Sequence, residues 1–209
     1  MKRVALGVRM HSGWGVIVAV SSTEGSLEVV DRRHIVTMDP RIPGTKQPYH
    51  YAATLALPDS EKHLANCTIA SERLALAALD EIVRDLEKRL YHIIGAAVLS
   101  ASGRPLPPLS KILASHPLLH RAEGEFFRNS VIRACGRLKI SAATIKEREL
   151  DERLQTAFGK QASRSTQRRI STLGTSIGPP WTKDHKTAAL AASILLRPRR
   201  AITSGRAQK

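Results

Sequence analysis

The chain has 209 residues, enough for one domain with a real hydrophobic core, so folding requires no disulfide or metal staple. Apolar residues make up 42% and aromatics only 4%, which makes the chain globular on average but poor in large anchors. Thirty-three Lys and Arg stand against 18 Asp and Glu, and this net charge of +15 favours an anionic partner, nucleic acid before a membrane surface or an acidic protein.

The start, Met1-Lys2-Arg3, mimics the basic region of an export signal. Arg9 and His11 break the apolar run behind it and no small-residue cleavage site follows, so export is not expected. Three strands with tight turns are predicted first. Val4-Ala5-Leu6-Gly7-Val8 is a short apolar run, and His11-Ser12-Gly13 is a turn signal. Residues 14–20 are β-branched and too few for a buried helix. Residues 22–26 form a second turn, and residues 27–37 alternate in part. The three make an antiparallel meander.

Residues 39–60 read as a Pro-rich loop, with room for a short helix over 51–57. A helix is predicted over 71–92, where Leu74, Ala77, Ala78, Ile82, Leu86 and Leu90 recur at three and four and Ser71 caps the first turn. Residues 93–99 have no polar face, the mark of a strand buried on both sides. A Pro-rich loop over 103–108 precedes a helical stretch over 109–138, broken near Pro117. Residues 140–145 read as a strand, and 147–158 and 166–173 as helices. Gly178-Pro179-Pro180 is a stop, and a last helix over 182–196 carries Ala188, Ala189, Ala191 and Ala192 on a smooth face. Residues 1–196 then form one α/β domain, a mixed sheet with helices on both faces, and 197–209 a disordered basic tail. No stretch approaches the roughly 18 apolar residues of a membrane helix.

This order of elements resembles the ribonuclease H-like fold of RuvC-type resolvases, integrases and transposases. Ala5-Leu6-Gly7-Val8-Arg9 with Gly13-Trp14-Gly15-Val16-Ile17 is similar to the first hairpin of the RuvC-type nucleases. The segment from Asp184-His185-Lys186 through Ala192 is similar to their last helix. The resemblance implies a site of carboxylates holding two divalent cations, Mg²⁺ or Mn²⁺, for phosphodiester hydrolysis. Most of those acids are missing here. Arg9 stands where the first strand would supply Asp, and Ser100, Ala101 and Ser102 stand where the fourth would supply Glu. Of the implied acids only Asp184 is in place. An arginine at that centre repels Mg²⁺ and pairs with a phosphate or with Asp184.

A second constellation lies in residues 116–128. On a helix, His116, His120, Glu123 and Phe127 share one face. Two imidazoles and a carboxylate there suit a transition metal, and with Asp184 they are the candidate metal ligands. Asp184, Glu123 and His120 are the candidate catalytic residues, Glu125 an alternative acid. The plain alternative is a solvated helix start anchored by Phe126 and Phe127. Gln47-Pro48-Tyr49-His50 is a compact polar and aromatic unit, either a rigid turn or a base-stacking loop. Gly178 through Lys186 places Trp181, Asp184 and Lys186 at a helix N-terminus, where backbone N–H groups favour anions, and the plain alternative is that Thr182 or Asp184 is an N-cap and Trp181 core.

Twelve of the bases and three of the acids fall in residues 151–209. The expected nucleic-acid contacts are Arg9, Arg168, Arg169, Lys183, Lys186, Arg197, Arg199 and Arg200. Cys67 and Cys135 are too few for a disulfide framework, which points to a reducing, cytoplasmic setting and buried, inert thiols. No phosphate-cradling Gly-rich loop and no Gly-x-Ser-x-Gly elbow is present. The leading expectation is a nucleic-acid-binding protein on a nuclease fold with little phosphodiesterase activity. The alternatives are an active metal-dependent nuclease joining His116, His120 and Glu123 to Asp184, and a basic structural protein with an acidic partner.

Overall fold

The computed structural model of the chain describes residues 1–23, 26–101 and 105–197. It opens with β1 (Lys2–Met10), β2 (Trp14–Thr23) and β3 (Ser26–Val36), an antiparallel meander as expected. Helices α1 (Pro48–Ala52) and α2 (Leu57–Lys88) lead to β4 (Tyr91–Ser100), which lies parallel to β1. Helices α3 (Leu109–Leu113) and α4 (His116–Arg137) lead to β5 (Ala142–Lys146), parallel to β4. A 3₁₀ turn (Glu147–Glu149), α5 (Leu150–Phe158), α6 (Lys160–Thr172), α7 (Gly174–Ile177) and α8 (Lys183–Leu195) follow. The strand order is β3-β2-β1-β4-β5.

The composition of β1 makes it the centre of this sheet. Val4, Ala5, Leu6 and Val8 are fully buried, and side chains alternate between faces along a strand. Val4, Leu6, Val8 and Met10 meet Ala75, Leu79 and Ile82 of α2 and Phe127 and Val131 of α4. Ala5 on the other face meets Ala188, Ala189 and Ala192 of α8. A strand covered on both faces needs no polar face, which is why the segment reads as continuous apolar sequence.

The smooth face of α8 sits unusually close to the sheet. A Cβ on Gly7 would lie 1.8 Å from the backbone oxygen of Ala188. Glycine here is a packing requirement, since only a bare backbone admits the helix.

Several boundaries differ from expectation. The short helix is at Pro48–Ala52 rather than 51–57, and α2 begins at Leu57 rather than 71. Proline explains both. A first-turn proline loses no helical hydrogen bond, so Pro48 and Pro58 start helices rather than mark a loop. Pro117 likewise starts α4, after a break at residues 114–115. Ser71, expected as a cap, is buried in mid-helix with an unpartnered hydroxyl. α6 begins at Lys160, six residues before its expected start. The expected basic tail lies outside the described residues from 198 onward, as do Ser102, Gly103 and Arg104 of the Pro-rich loop. Among the described residues no helix is long and apolar enough to cross a membrane.

Gly7→Ala is expected to destabilise the fold by about 3 kcal/mol, the upper end of overpacking, because backbone rather than a flexible side chain must move. Denaturant unfolding of the variant beside wild type measures this.

Candidate functional site

The C-terminal end of β1 carries the first cluster. Arg9 shares the Ala5 and Gly7 face of the strand and so points toward α8. Its guanidinium donates to Asp184 through Nη1 and to Glu147 Oε1 through Nη2 at 2.9 Å. His11 Nε2 lies 3.1 Å from the second oxygen of Asp184. Arg9 and Asp184 are 18% and 19% exposed and Glu147 39%, so the pair is shielded and its third member half open. The ion-pair alternative for Arg9 is thus the one observed. Its charge is matched by two carboxylates, and it offers no free cation to a phosphate. A hard cation would meet the guanidinium first. Ser100, where the resemblance implies a glutamate, is buried with no partner for its hydroxyl.

Glu147 was not anticipated. Its signal is an acid directly after a parallel strand, which lands at the sheet edge where the other parallel strands end. Trp14, also at this edge, stacks between His11 at 4.3 Å and His34 at 5.0 Å, centroid to centroid.

Asp184 is held in place by its surroundings. Thr182 is the N-cap of α8, so Asp184 is left free for Arg9. The Thr182 N–H donates to His185 Nδ1 at 3.3 Å, and the Thr182 hydroxyl lies 2.8 Å from the same nitrogen. Burial, and then the charge of Arg32, hold the buried His185 below the usual histidine range. Arg32 donates to the backbone oxygens of Ile177, Gly178, Pro179 and Pro180, at 2.8–3.1 Å, and so fastens the segment that enters α8. Trp181 is half-buried, and its indole N–H donates to the Ile170 oxygen at 2.7 Å.

The second cluster lies across the sheet. Glu123 is 3% exposed and belongs to α4, on the face opposite α8. Its Oε1 accepts from the N–H groups of Tyr49 (2.9 Å) and His50 (3.1 Å) and lies 3.0 Å from His50 Nδ1. A carboxylate from α4 therefore satisfies the otherwise unpaired first N–H groups of α1. Burial pushes the Glu123 carboxyl up, against the pull of those donors. His116 and His120, one turn apart on α4, close around His50, with one nitrogen of each of the three rings within 4.8 Å of the others. Tyr49 packs edge-on against Phe126, while Phe127 enters the main core.

The structure thus separates residues that the sequence grouped. His116, His120, Glu123 and Glu125 are on α4, and Asp184 is on α8 beneath the other face. They do not form one catalytic or metal site, because the intervening sheet is filled by Val4, Leu6 and Val8. The nuclease that joined them is thereby set aside. What the sequence did not join to them is His50, the residue the α4 histidines do meet.

The basic residues form a third region. Lys160, Arg164 and Arg168 recur at four on α6, which has four bases and no acid. None of the three forms an ion pair among the described residues, and neither do Lys183, Lys186 or Arg197. Arg169 instead donates to the Leu27 oxygen at 3.2 Å. Arg197 joins Arg3 and Arg153 around a groove of about 410 Å³. Arg199 and Arg200 lie outside the described residues. Both cysteines are buried, and burial pushes the Cys135 thiol up to about 11.

No family model matches the chain, and no curated protein does. Among solved structures it is similar to Thermus thermophilus RuvC in complex with Holliday junction substrate, with 10% identity, a TM-score of 0.50, and 92% of this chain and 91% of that one covered. Thermus thermophilus RuvC alone gives 11% identity, a TM-score of 0.49 and coverage of 91% and 92%. The fold is ribonuclease H-like. The three antiparallel strands, two parallel strands and helices on both faces are those of the RuvC fold, while the guanidinium of Arg9 sits among the carboxylates of Asp184 and Glu147.

Arg9→Gln is expected to cost about 2 kcal/mol, less than a fully buried pair because Glu147 is half open. Adding Asp184→Asn recovers part of the loss, and a denaturation double-mutant cycle reads the coupling. His185 has a folded pKa below its unfolded one. Its neutral form therefore supports the fold above about pH 6.5, and that support falls as pH drops toward the folded value. His185→Gln is expected to flatten the loss of stability between pH 7 and 5, read by thermal melts across that window.

Proposed function

We propose that the chain binds nucleic acid through the basic surface of α6 and the Arg3–Arg153–Arg197 groove, and does so with little or no phosphodiesterase activity. The observation that carries this is the row of Lys160, Arg164 and Arg168, charged and without an acid partner among the described residues. Cations left unneutralised on a folded surface release counterions when they meet a phosphate backbone. Gln161, Ser165, Gln167 and Ser171 supply hydrogen-bonding groups along the same helix. α5, which carries Arg153 of the groove, and α6, which carries the row, adjoin at Gly159.

The absent chemistry follows from Arg9. Two-metal hydrolysis needs a nest of carboxylates open to cations. Here one guanidinium has taken that place and binds the remaining acids to itself. The grip is retained on other elements while the catalytic centre has become an ion-pair lock. The likeness to a resolvase seen with Holliday junction substrate supports a DNA partner, with branched DNA the first substrate to try.

The test is binding of labelled branched, duplex and single-stranded DNA and RNA between about 50 and 200 mM salt. Wild-type affinity should fall steeply across that range. The triple variant Lys160→Ala, Arg164→Ala, Arg168→Ala should bind at least about tenfold more weakly at low salt, with a log–log slope shallower by about 2–3, near 0.9 per lost contact. An unchanged slope removes the reading and favours a basic protein that serves an acidic protein partner. Cleavage of these substrates with Mg²⁺ or Mn²⁺ should stay at the level of buffer. Cleavage lost in Asp184→Ala would overturn the second half of the proposal.

A further inference from the structure

The histidine cluster on the other face has the form of a metal site. Three imidazoles from two helices converge, His50 from α1 and His116 and His120 from α4. Two further observations point to a ligand. His50 Nε2 is buried and has no hydrogen-bond partner. Glu123 Oε2, in a side chain 3% exposed, is buried and unpartnered as well. Buried polar atoms are rarely left unpaired, and each one without a partner asks for an explanation.

The arrangement of Glu123 supplies it. Its Oε1 lies 3.0 Å from His50 Nδ1 and also receives the His50 backbone N–H. Oε1 already accepts the Tyr49 and His50 backbone N–H groups, so it acts as an acceptor toward the ring as well, which places the ring proton on Nδ1. The Nε2 lone pair is left bare, and the rings of His116 and His120 stand 5.6 and 4.7 Å from that of His50, centroid to centroid. A carboxylate that fixes the tautomer of a histidine and raises its basicity is the usual outer partner of a metal-bound imidazole. We propose that His50 Nε2, His116 and His120 bind one Zn²⁺ ion, with Glu123 as the positioning residue behind His50.

The geometry admits this with small motions. Tetrahedral zinc at about 2.0–2.1 Å from each nitrogen sets the nitrogens about 3.3 Å apart. The present spread of up to 4.8 Å closes if the exposed rings of His116 and His120 swing inward, while His50 stays fixed by Glu123. Imidazole nitrogens select zinc and its neighbours over Mg²⁺, which prefers oxygen. Three protein ligands leave a fourth position for water or an anion. The ion would tie α1, and with it the long connection after β3, to the start of α4.

The experiment uses the full chain without a histidine tag, stripped of metal by chelator and then dialysed. Zn²⁺ is titrated by calorimetry, Co²⁺ by its visible spectrum, and thermal melts follow both. One Zn²⁺ per chain, a raised melting temperature and a tetrahedral Co²⁺ spectrum without a thiolate band are expected. His116→Ala and His120→Ala, both at exposed positions and judged folded by circular dichroism, should each lose at least about 100-fold in affinity. Glu123→Gln should keep the Co²⁺ spectrum and lose about 10–100-fold, as removal of an outer partner does. Less than one ion per chain, unchanged affinity in His116→Ala, or a thiolate band from Cys67 would each overturn the proposal.

Discussion

The guanidinium of Arg9 holds together three elements that are distant in sequence. It stands at the end of the central strand and meets Asp184 from the first turn of α8 and Glu147 from the end of β5. These are the ends that a ribonuclease H-like fold brings to one edge of its sheet. Like charges gathered there need a counter-charge. A cation from solvent is one solution, and a cation attached to the chain is another. Arg9 is the second kind, permanently charged, and its planar fork reaches both acids at once.

A lock of this sort constrains what surrounds it. Asp184 reaches Arg9 because Thr182 relieves it of capping duty and because Arg32 fixes the four carbonyls that lead into the helix. The depth of α8 is set by Gly7 and by the alanines facing it. Moving the helix outward by one side chain would part the ion pair. The same edge that would host chemistry in an open carboxylate site is thus held by packing and charge together. Among the described residues, positive charge without an acid partner lies elsewhere, on α6 and at Arg3 and Arg197, while Arg153 pairs with Glu149 at 3.7 Å.

The sheet was legible in the sequence because its physics is local. Runs such as residues 4–8 and 93–99 are apolar without alternation, which only a strand covered on both faces tolerates. The alanines of α8 announced close packing in the same way. Asp184 was legible as an acid at a helix start, and its pairing with Arg9 as one of the alternatives. Helix starts at Pro48 and Pro58 were misread, since a proline that opens a helix and one that breaks it look alike without the partner groups. The joining of Glu123 to Asp184 failed for a different reason. Helical spacing says which residues share a face of α4 but not which side of the sheet that helix covers. His50 was visible as an unusual residue in a Pro-rich stretch, yet its meeting with His116 and His120 depends on a tertiary contact, the Glu123 carboxylate at the start of α1.

The length of α2 has a consequence of its own. Its 32 residues span about 48 Å, whereas a ten-residue strand spans about 33 Å. The part that joins the sheet core begins at Ala75, and the turns before it carry Ser60, whose hydroxyl donates to the Ala52 oxygen at 2.7 Å. The helix therefore acts as a cantilever. Its rooted half belongs to the sheet, and its free half supports an annex of α1, α3 and the start of α4 with a small apolar centre of Ile112, Leu119 and Ala122. The annex thus has an apolar centre of its own, apart from the sheet core. Evolution can rebuild that upper storey, histidines included, without disturbing the foundation beneath it.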